Sequence, residues 1–225
     1  DYRRIALAPA SVQEMADFVG IAFDLAFKYR NPAIILADGV IGQMMEKVVL
    51  PEQRTRLTDE EVIARCPWAT TGRTHHRTPN IITSLELDPA EMEKRNIHLQ
   101  KKYAEIEENE VRFEELHCED AEYLIVAFGS CARIAQKAME MAREEGIKVG
   151  LLRPITLWPF PSKAIAARAA QVKGILTVEL NAGQMVEDVR LAVECKVPVE
   201  HFGRLGGIVP DPDEVITALK EKLIK

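Results

Sequence analysis

From about residue 121 onward, short apolar runs alternate with segments of helical periodicity. The apolar runs have the length of buried strands, and they are YLIVAF (123–128), IKVGLL (147–152), GILTVEL (174–180) and VPVEHF (197–202). Strands that alternate with helices are typical of a parallel sheet covered on both faces. We therefore predict a doubly wound, mostly parallel α/β domain over residues 119–225, and roughly 105 residues suffice for one core of this kind.

A separate strand–helix–strand unit opens the chain. The runs RIALA (4–8) and AIILA (33–37) predict two strands, and a helix between them is predicted to begin at Ser11. Ser11 followed by Glu14 is the pattern of a capping box. One such unit cannot bury both faces of its sheet. We therefore expect residues 1–48 to be the last part of a larger domain.

Residues 49–118 break this regularity. Their first part is polar and is interrupted by proline and glycine, and a segment of this length is uncommon in a compact domain unless it binds something. A helix is then predicted to begin after Asp88, with Pro89 in its first turn and Glu91 closing a capping box, and to run to about Leu116. Its narrow apolar stripe predicts a largely exposed connecting helix.

The irregular bridge gathers two arginines and two histidines, which are Arg73, His75, His76 and Arg77. Guanidinium groups suit carboxylates and phosphates, so this cluster is the first candidate for an anion contact. A metal pair is not predicted, because neighbouring histidines point in different directions on most backbones. A solvated loop is the alternative, and it is the favoured interpretation.

Polar residues also follow three of the predicted strands. Ser130 is predicted to cap a helix rather than to bind phosphate, because neither GxGxxG nor GxxxxGK[ST] is present. Cys131 is not predicted to be reactive, since nothing basic adjoins it.

Two further polar residues lie at or just after the end of the predicted strand GILTVEL. Glu179 could be catalytic or could bond the following turn, and we favour the bond to the turn. Asn181 is a natural helix cap. Asp38 with Gly39 indicates a turn.

The segment RPITLWPFP (153–161) ends the second strand of the α/β domain. Its three prolines are incompatible with a helix or an interior strand. Prolines at a strand end set a fixed path to the next helix, so Trp158 and Phe160 would form a rigid apolar projection. We leave open whether this projection contacts a partner or packs on its own domain.

Composition narrows the functional classes. The formal net charge is −6, with 47% hydrophobic and 28% charged residues. This balance indicates a globular chain and predicts neither nucleic-acid nor membrane partners. The four cysteines are scattered without a CxxC pair, so zinc or iron–sulfur ligation is not predicted, and free thiols in a reducing cytoplasm are the simplest interpretation. No serine–histidine–acid or cysteine–histidine set is recognisable, and we predict no catalytic residue.

Six motifs in this order and spacing resemble a known family, although each is unspecific alone. They are APASVQEM (8–15), PAIILADGVIGQMME (32–46), VAFGSCARIAQKA (126–138), LLRPITLWPFP (151–161), VELNAGQMVEDVR (178–190) and HFGRLGGIVP (201–210). The chain resembles, over essentially its whole length, the alpha subunit of thiamine-diphosphate-dependent 2-oxoacid:ferredoxin oxidoreductases. The resemblance is strongest to the 2-oxoisovalerate (branched-chain) enzyme.

This resemblance implies oxidative decarboxylation of a 2-oxoacid, formation of acyl-CoA, and electron transfer to ferredoxin. It implies thiamine diphosphate and magnesium in the whole enzyme, iron–sulfur clusters on partner subunits, and beta, gamma and ferredoxin-like delta subunits as partners. It implies that residues 1–48 end a pyrimidine-binding domain, 49–118 form the bridge and connecting helix, and 119–225 resemble the C-terminal domain of transketolase.

The resemblance offers no counterpart in this sequence for the glutamate that activates thiamine, for the substrate contacts or for the GDG motif that holds diphosphate and magnesium. We therefore expect a C-terminal fragment that binds no cofactor and is inactive alone, and that serves assembly through the bridge and segment 153–161. Two alternatives are the E1 beta-type component of a lipoamide-linked 2-oxoacid dehydrogenase and a non-catalytic, flavodoxin-like ligand-binding module.

Overall fold

The structure is a computed structural model that describes residues 2–70, 72 and 81–224. Residues up to Val49 and from Lys102 onward form one compact unit, and Leu50–Lys101 form a second. The described strands are β1 (Ile5–Leu7), β2 (Ala33–Ile35), β3 (Phe113–Leu116), β4 (Tyr123–Ala127), β5 (Val149–Pro154), β6 (Thr156–Trp158), β7 (Gly174–Glu179) and β8 (Val199–Gly203). The described helices are α1 (Val12–Tyr29), α2 (Gly39–Gln43), α3 (Asp59–Arg65), α4 (Pro89–Asn109), α5 (Gly129–Glu144), α6 (Ser162–Ala169), α7 (Met185–Val193) and α8 (Pro212–Leu219), followed by a π-helical turn at Lys220–Ile224.

A five-stranded sheet with the order β3-β5-β4-β7-β8 forms the centre of the first unit. Strands β5, β4, β7 and β8 run parallel, and the edge strand β3 is antiparallel to β5. Helices α5 and α8 pack on one face, and α6 and α7 pack on the other. The predicted doubly wound, mostly parallel α/β fold is therefore confirmed.

The apolar runs in the sequence reflect burial on both faces of this sheet. Successive side chains of a strand point to opposite faces. In β4, Ile125 belongs to the core beneath α5 and α8, whereas Leu124 and Val126 belong to the core beneath α6 and α7. A strand covered on both sides needs apolar residues at every position, which is why YLIVAF shows no polar alternation.

A second, three-stranded sheet has the order β2-β1-β6. Strand β1 is parallel to β2 and antiparallel to β6, so the start of the chain is joined to the segment that follows β5. The expectation that residues 153–161 exclude an interior strand is wrong at Pro154, which pairs with Phe113 as the last residue of β5. A proline is tolerated there because the ladder ends at that position. The rest of the segment supplies only the edge strand β6, where prolines are permitted.

The predicted end of the connecting helix is also wrong. Helix α4 ends at Asn109 instead of about Leu116, and Phe113–Leu116 form the edge strand β3. The backbone of β5 would otherwise present unpaired N–H and C=O groups along its outer side. Pairing with that edge outweighs the helical pattern of the local sequence.

Helix α1 is buried on one side only. Phe18, Leu25 and Tyr29 are buried. Val19, Phe23 and Phe27 lie four residues apart and are 47%, 62% and 53% exposed. This apolar face agrees with the argument that one strand–helix–strand unit cannot cover itself.

The second unit contains α3 and the start of α4. Thr58 and Glu61 form a capping box that begins α3. The Asp88 carboxylate accepts hydrogen bonds from the N–H groups of Ala90 and Glu91, which confirms Asp88 as the cap of α4. No helix in the described part of the chain combines the length and apolar character needed to cross a membrane.

Candidate functional site

The polar residues that end β2, β4 and β7 meet around one small cavity. Its volume is about 70 Å³, and its lining consists of Asp38, Phe128, Ser130, Cys131, Val178, Glu179, Leu180 and Asn181. The carboxyl ends of parallel strands are where open α/β sheets place their functional groups. We call this group of residues the strand-end junction, because it joins the small sheet to the large one.

Asp38 uses both carboxylate oxygens within the junction. Oδ1 accepts hydrogen bonds from the N–H groups of Val40 and Ile41 at 3.0 Å, and Oδ2 accepts one from the N–H of Ser130 at 2.8 Å. The carboxylate therefore lies at the positive N-terminus of α5 as well as at the start of α2. Gly129 permits this approach, because its φ is +61° and an added Cβ would lie 2.7 Å from Asp38 Oδ2.

Glu179 is almost completely buried, with 1% of its surface exposed. Oε2 accepts from the N–H groups of Gln184 at 3.1 Å and Met185 at 2.8 Å, and Oε1 accepts from Val186 at 3.0 Å. Our preferred interpretation, that Glu179 bonds the following turn, is confirmed. The prediction of Asn181 as the helix cap is wrong: its Oδ1 accepts from Gly183 N–H at 2.7 Å, and Glu179 satisfies the start of α7 instead.

The nucleophilic groups at the junction are buried. Burial, with the negative charges of Asp38 and Glu179, raises the pKa of the Cys131 thiol to about 12. The thiol is therefore protonated at neutral pH, in agreement with the prediction that it is not reactive. Ser130 Oγ is buried and has no hydrogen-bond partner among the described residues. The prediction that the Ser130 side chain caps α5 is wrong. The Asp38 carboxylate accepts from the Ser130 N–H instead.

A second connection runs through Arg153 of β5, which joins helix α1 to the large sheet. Its Nη2 donates to both carboxylate oxygens of Glu14 at 2.6 Å, and its Nη1 donates to Glu114 Oε2 at 3.0 Å. Glu14 also accepts from Ala10 N–H at 2.7 Å. The predicted capping box is thus half made: Ser11 accepts from Glu14 N–H, but the Glu14 side chain is bound to Ala10 and Arg153.

A third polar cluster surrounds the buried Glu110. Its Oε1 accepts from Lys28 Nζ and from Tyr29 Oη, both at 2.7 Å, and its Oε2 lies 3.6 Å from Arg112 Nη2. Burial opposes ionisation of the carboxyl, but the hydrogen bonds from Lys28 and Tyr29 and the nearby cations prevail and lower its pKa. The cluster attaches α1 to the residues that follow α4.

A large cavity beside the proline-rich segment was not predicted from the sequence. Its volume is about 670 Å³, and its lining consists of Arg3, Glu107, Glu108, Val111, Phe113, Leu157, Trp158, Phe160, Pro161, Ser162, Lys163, Ala164, Asp188 and Leu191. We call it the Trp158 cavity. The only signal in the sequence was the rigid apolar projection predicted from Trp158 and Phe160, which forms part of its wall.

The anion-contact candidates Arg73, His75, His76 and Arg77 lie outside the described residues, so that hypothesis stays a prediction. Within the described ranges, no group of three or more histidine, cysteine, aspartate or glutamate side chains is arranged to hold a metal ion. The junction carboxylates are engaged by backbone N–H groups, and the thiol is protonated. This chemistry fixes helices and sheets in place.

Comparison with known proteins decides the family. Residues 1–117 match the family model described as "Pyruvate flavodoxin/ferredoxin oxidoreductase, thiamine diP-bdg", the last words denoting thiamine diphosphate binding. The chain belongs to this family. Residues 121–215 match a second model, the pyruvate:ferredoxin oxidoreductase core domain II. The family that the sequence motifs indicated is therefore confirmed.

Two curated relatives and one solved structure illustrate the likeness. The ketoisovalerate oxidoreductase subunit VorB of Methanothermobacter marburgensis is 46% identical over 98% of this chain and 61% of its own length. The 2-oxoglutarate synthase subunit KorA of Archaeoglobus fulgidus is 33% identical over 94% of this chain and 59% of its own length. The chain thus spans about three-fifths of the length of these relatives.

The solved structure is the 2-oxoglutarate:ferredoxin oxidoreductase of Magnetococcus marinus with 2-oxoglutarate, coenzyme A and succinyl-CoA bound. It superposes with a TM-score of 0.76 and 24% identity, over 97% of this chain and 42% of that one. At this identity the match shows a shared fold.

The described residues do not fit thiamine diphosphate at the strand-end junction. The cavity of about 70 Å³ has room for a few water molecules. Each of the two carboxylates that border it already accepts three backbone N–H hydrogen bonds. We therefore assign no catalytic step to these residues.

Proposed function

We propose that this chain is part of an alpha-type subunit of a thiamine-diphosphate-dependent 2-oxoacid:ferredoxin oxidoreductase. The enzyme converts a 2-oxoacid, here 2-oxoisovalerate, to an acyl-CoA and passes the electrons to ferredoxin. Thiamine diphosphate and magnesium belong to the whole enzyme, and its iron–sulfur clusters lie on partner subunits. The observation that carries the proposal is the 46% identity to a ketoisovalerate oxidoreductase subunit over 98% of the chain.

The division of the chain follows the same proposal. Residues 1–48 end a pyrimidine-binding domain, 49–118 form a bridge with the connecting helix, and 119–225 form a transketolase-like domain. The gap between the two matching family models, from 117 to 121, supports a boundary near residue 119. A role of this chain in assembly is supported by the exposed apolar face of α1, which includes Phe23.

Activity of the purified complex tests the proposed reaction. The chain would be tagged in its natural host, the complex isolated without oxygen, and reduction of ferredoxin measured with coenzyme A and one 2-oxoacid at a time. We expect the highest kcat/KM with 2-oxoisovalerate, lower values with pyruvate and 2-oxoglutarate, and an acyl-CoA product. A preference for another 2-oxoacid would refute the substrate, and absence of any coenzyme-A-dependent ferredoxin reduction would refute the reaction.

The electron acceptor separates this proposal from the lipoamide-linked alternative. That enzyme class would transfer its acyl group to lipoamide and reduce NAD⁺ through further components. Dependence on lipoamide instead of ferredoxin would therefore identify an E1 beta-type component.

A further inference from the structure

The Trp158 cavity is open and mostly apolar. Its lining includes Leu157, Trp158, Phe160 and Pro161. Phe113 and Leu191, on its rim, are 40% and 77% exposed. Cavities of roughly 300–1,000 Å³ with apolar and aromatic walls are the usual places where proteins take up a ligand or an anchoring side chain.

The charges around the cavity are unequally neutralised. Arg3 is paired with Glu107 at 3.1 Å and lies over the Trp158 ring at 5.9 Å. Among the described residues, the side chains of Glu108, Lys163 and Asp188 form no hydrogen bond or ion pair. Two carboxylates thus stand against one ammonium group, which favours an occupant that brings positive charge.

Asp188 has no cationic partner among the described residues. Burial raises the pKa of its carboxyl group, and the negative charges of Glu187 and Glu179 raise it further. A cationic group beside Asp188 would reverse this effect.

The opposite wall calls for hydrogen-bond acceptors. Helix α6 begins at Ser162 without a side-chain cap, and its first residues, Ser162, Lys163 and Ala164, line the cavity. The first N–H groups of a helix need acceptors from outside the helix. Ser162 N–H already donates to the Phe160 carbonyl at 2.8 Å, so acceptors are still needed at Lys163 and Ala164. Main-chain carbonyls of a polypeptide would supply them, whereas a simple organic cation would not.

We propose that the Trp158 cavity is the docking site for a segment of a different subunit of the complex, in which a lysine or arginine lies next to an apolar residue. The apolar residue packs on Trp158 and Phe160, the basic group pairs with Asp188 or Glu108, and main-chain carbonyls accept from the start of α6. The inference rests on the proposed membership in a multisubunit oxidoreductase.

Photo-crosslinking in the assembled complex tests the occupant. The change Leu191→p-benzoylphenylalanine places a photoreactive group at the rim, and mass spectrometry identifies the peptide joined to it. We expect a peptide of a different subunit that contains a basic residue within two positions of an apolar one. A peptide without a basic residue, a peptide from any part of the same subunit or a second copy of it, a retained small molecule, or no product would overturn the proposal.

Charge reversal supplies the matched control. Asp188→Lys should weaken association of that subunit at least tenfold, because the proposed attraction to a basic group becomes a repulsion. Glu187→Lys changes the adjacent residue of α7, which does not line the cavity, and should change the affinity less than twofold. Equal effects of the two variants would contradict the docking site. A complex that retains 2-oxoacid oxidation but yields no crosslink would leave the proposed function standing and remove this inference alone.

Discussion

At the scale of single residues, helix α1 is joined to the large sheet by side chains far apart in sequence. Glu14 and Arg153 are separated by 139 positions and yet meet at 2.6 Å. The sequence predicted that Ser11 begins α1, because a cap depends on neighbours. The sequence pattern also placed the Glu14 side chain in the local capping box. The position of its actual partner, Arg153, could not be predicted without the fold.

Arg153→Met should lower the free energy of unfolding by about 3 kcal/mol, because it leaves the partly buried Glu14 carboxylate without its cation. Lys137→Met is the control, since it removes the same charge from the surface pair with Glu140. The control should change stability by less than about 0.5 kcal/mol. Urea unfolding measures both, and similar losses would refute a special role for the Arg153 pair.

Substitution of Gly129 and of Gly146 by alanine would distinguish the cost of backbone strain from the cost of a close contact with a neighbouring residue. Their φ values are +61° and +85°, but only an added Cβ at Gly129 meets a neighbour, Asp38 Oδ2 at 2.7 Å, whereas one at Gly146 has nothing within 4 Å. We expect Gly146→Ala to cost about 1 kcal/mol from strain alone, and Gly129→Ala about 3 kcal/mol because Asp38 must also move. Equal costs in denaturant titrations would show that Asp38 does not constrain this position.

At the scale of elements, the repeated strand–helix pattern was predicted well. Every predicted strand of the α/β domain was found, because a strand covered on both faces leaves a continuous apolar signature. Strand β3 was missed because it is an edge strand with two charged residues, Glu114 and Glu115, and its partner lies in β5. The start of α7 was predicted, but its capping residue was not, since Glu179 reaches it from the preceding strand.

The start of α7 gives a direct comparison of two possible caps. Glu179→Gln should destabilise the protein by about 2–3 kcal/mol, because one amide oxygen cannot replace two carboxylate oxygens that accept three N–H groups. Asn181→Ala should cost less than about 1 kcal/mol, since it removes one bond in the preceding turn. Thermal and urea unfolding of both variants would decide, and a larger loss for Asn181→Ala would restore Asn181 as the cap.

The attachment of α1 to the end of α4 should depend on pH. The pKa of Glu110 in the folded protein is lowered from 4.5. A lowered folded pKa contributes stability that is present above the unfolded pKa and is lost as pH falls through the folded value. The stability difference between the wild type and Glu110→Gln should therefore be largest above pH 4.5 and shrink at more acidic pH. Glu105→Gln, which changes an exposed residue of α4, should show little difference at any pH, and a difference for Glu110→Gln that stays constant would refute the assignment.

At the scale of the whole molecule, three polar groups among the described residues hold the first unit together. The junction, the Arg153 pair and the Glu110 cluster all bind elements to one another. The family could be predicted from motif order, because those motifs are the strand ends and helix starts that make these connections. The Trp158 cavity could not be predicted, since its walls come from four separate stretches of sequence.

Calorimetry with the isolated chain tests whether the strand-end junction can hold thiamine diphosphate. Titration with thiamine diphosphate and magnesium should give no binding heat, because the junction carboxylates are occupied and the space beside them admits only a few water molecules. The assembled complex is the positive control. Micromolar binding by the chain alone would contradict our description of the junction.

Strand β6 belongs to the C-terminal half of the chain but pairs with β1 of the N-terminal half, which limits where the chain can be divided. A cut between the two family matches, near residue 119, severs the covalent link between β1 and the strand that completes its sheet. The N-terminal piece would then carry a bare hydrogen-bonding edge along Ala6 and Leu7, which invites aggregation. As two polypeptides, the halves should be recovered in good yield when they are co-expressed and in poor yield when each is expressed alone.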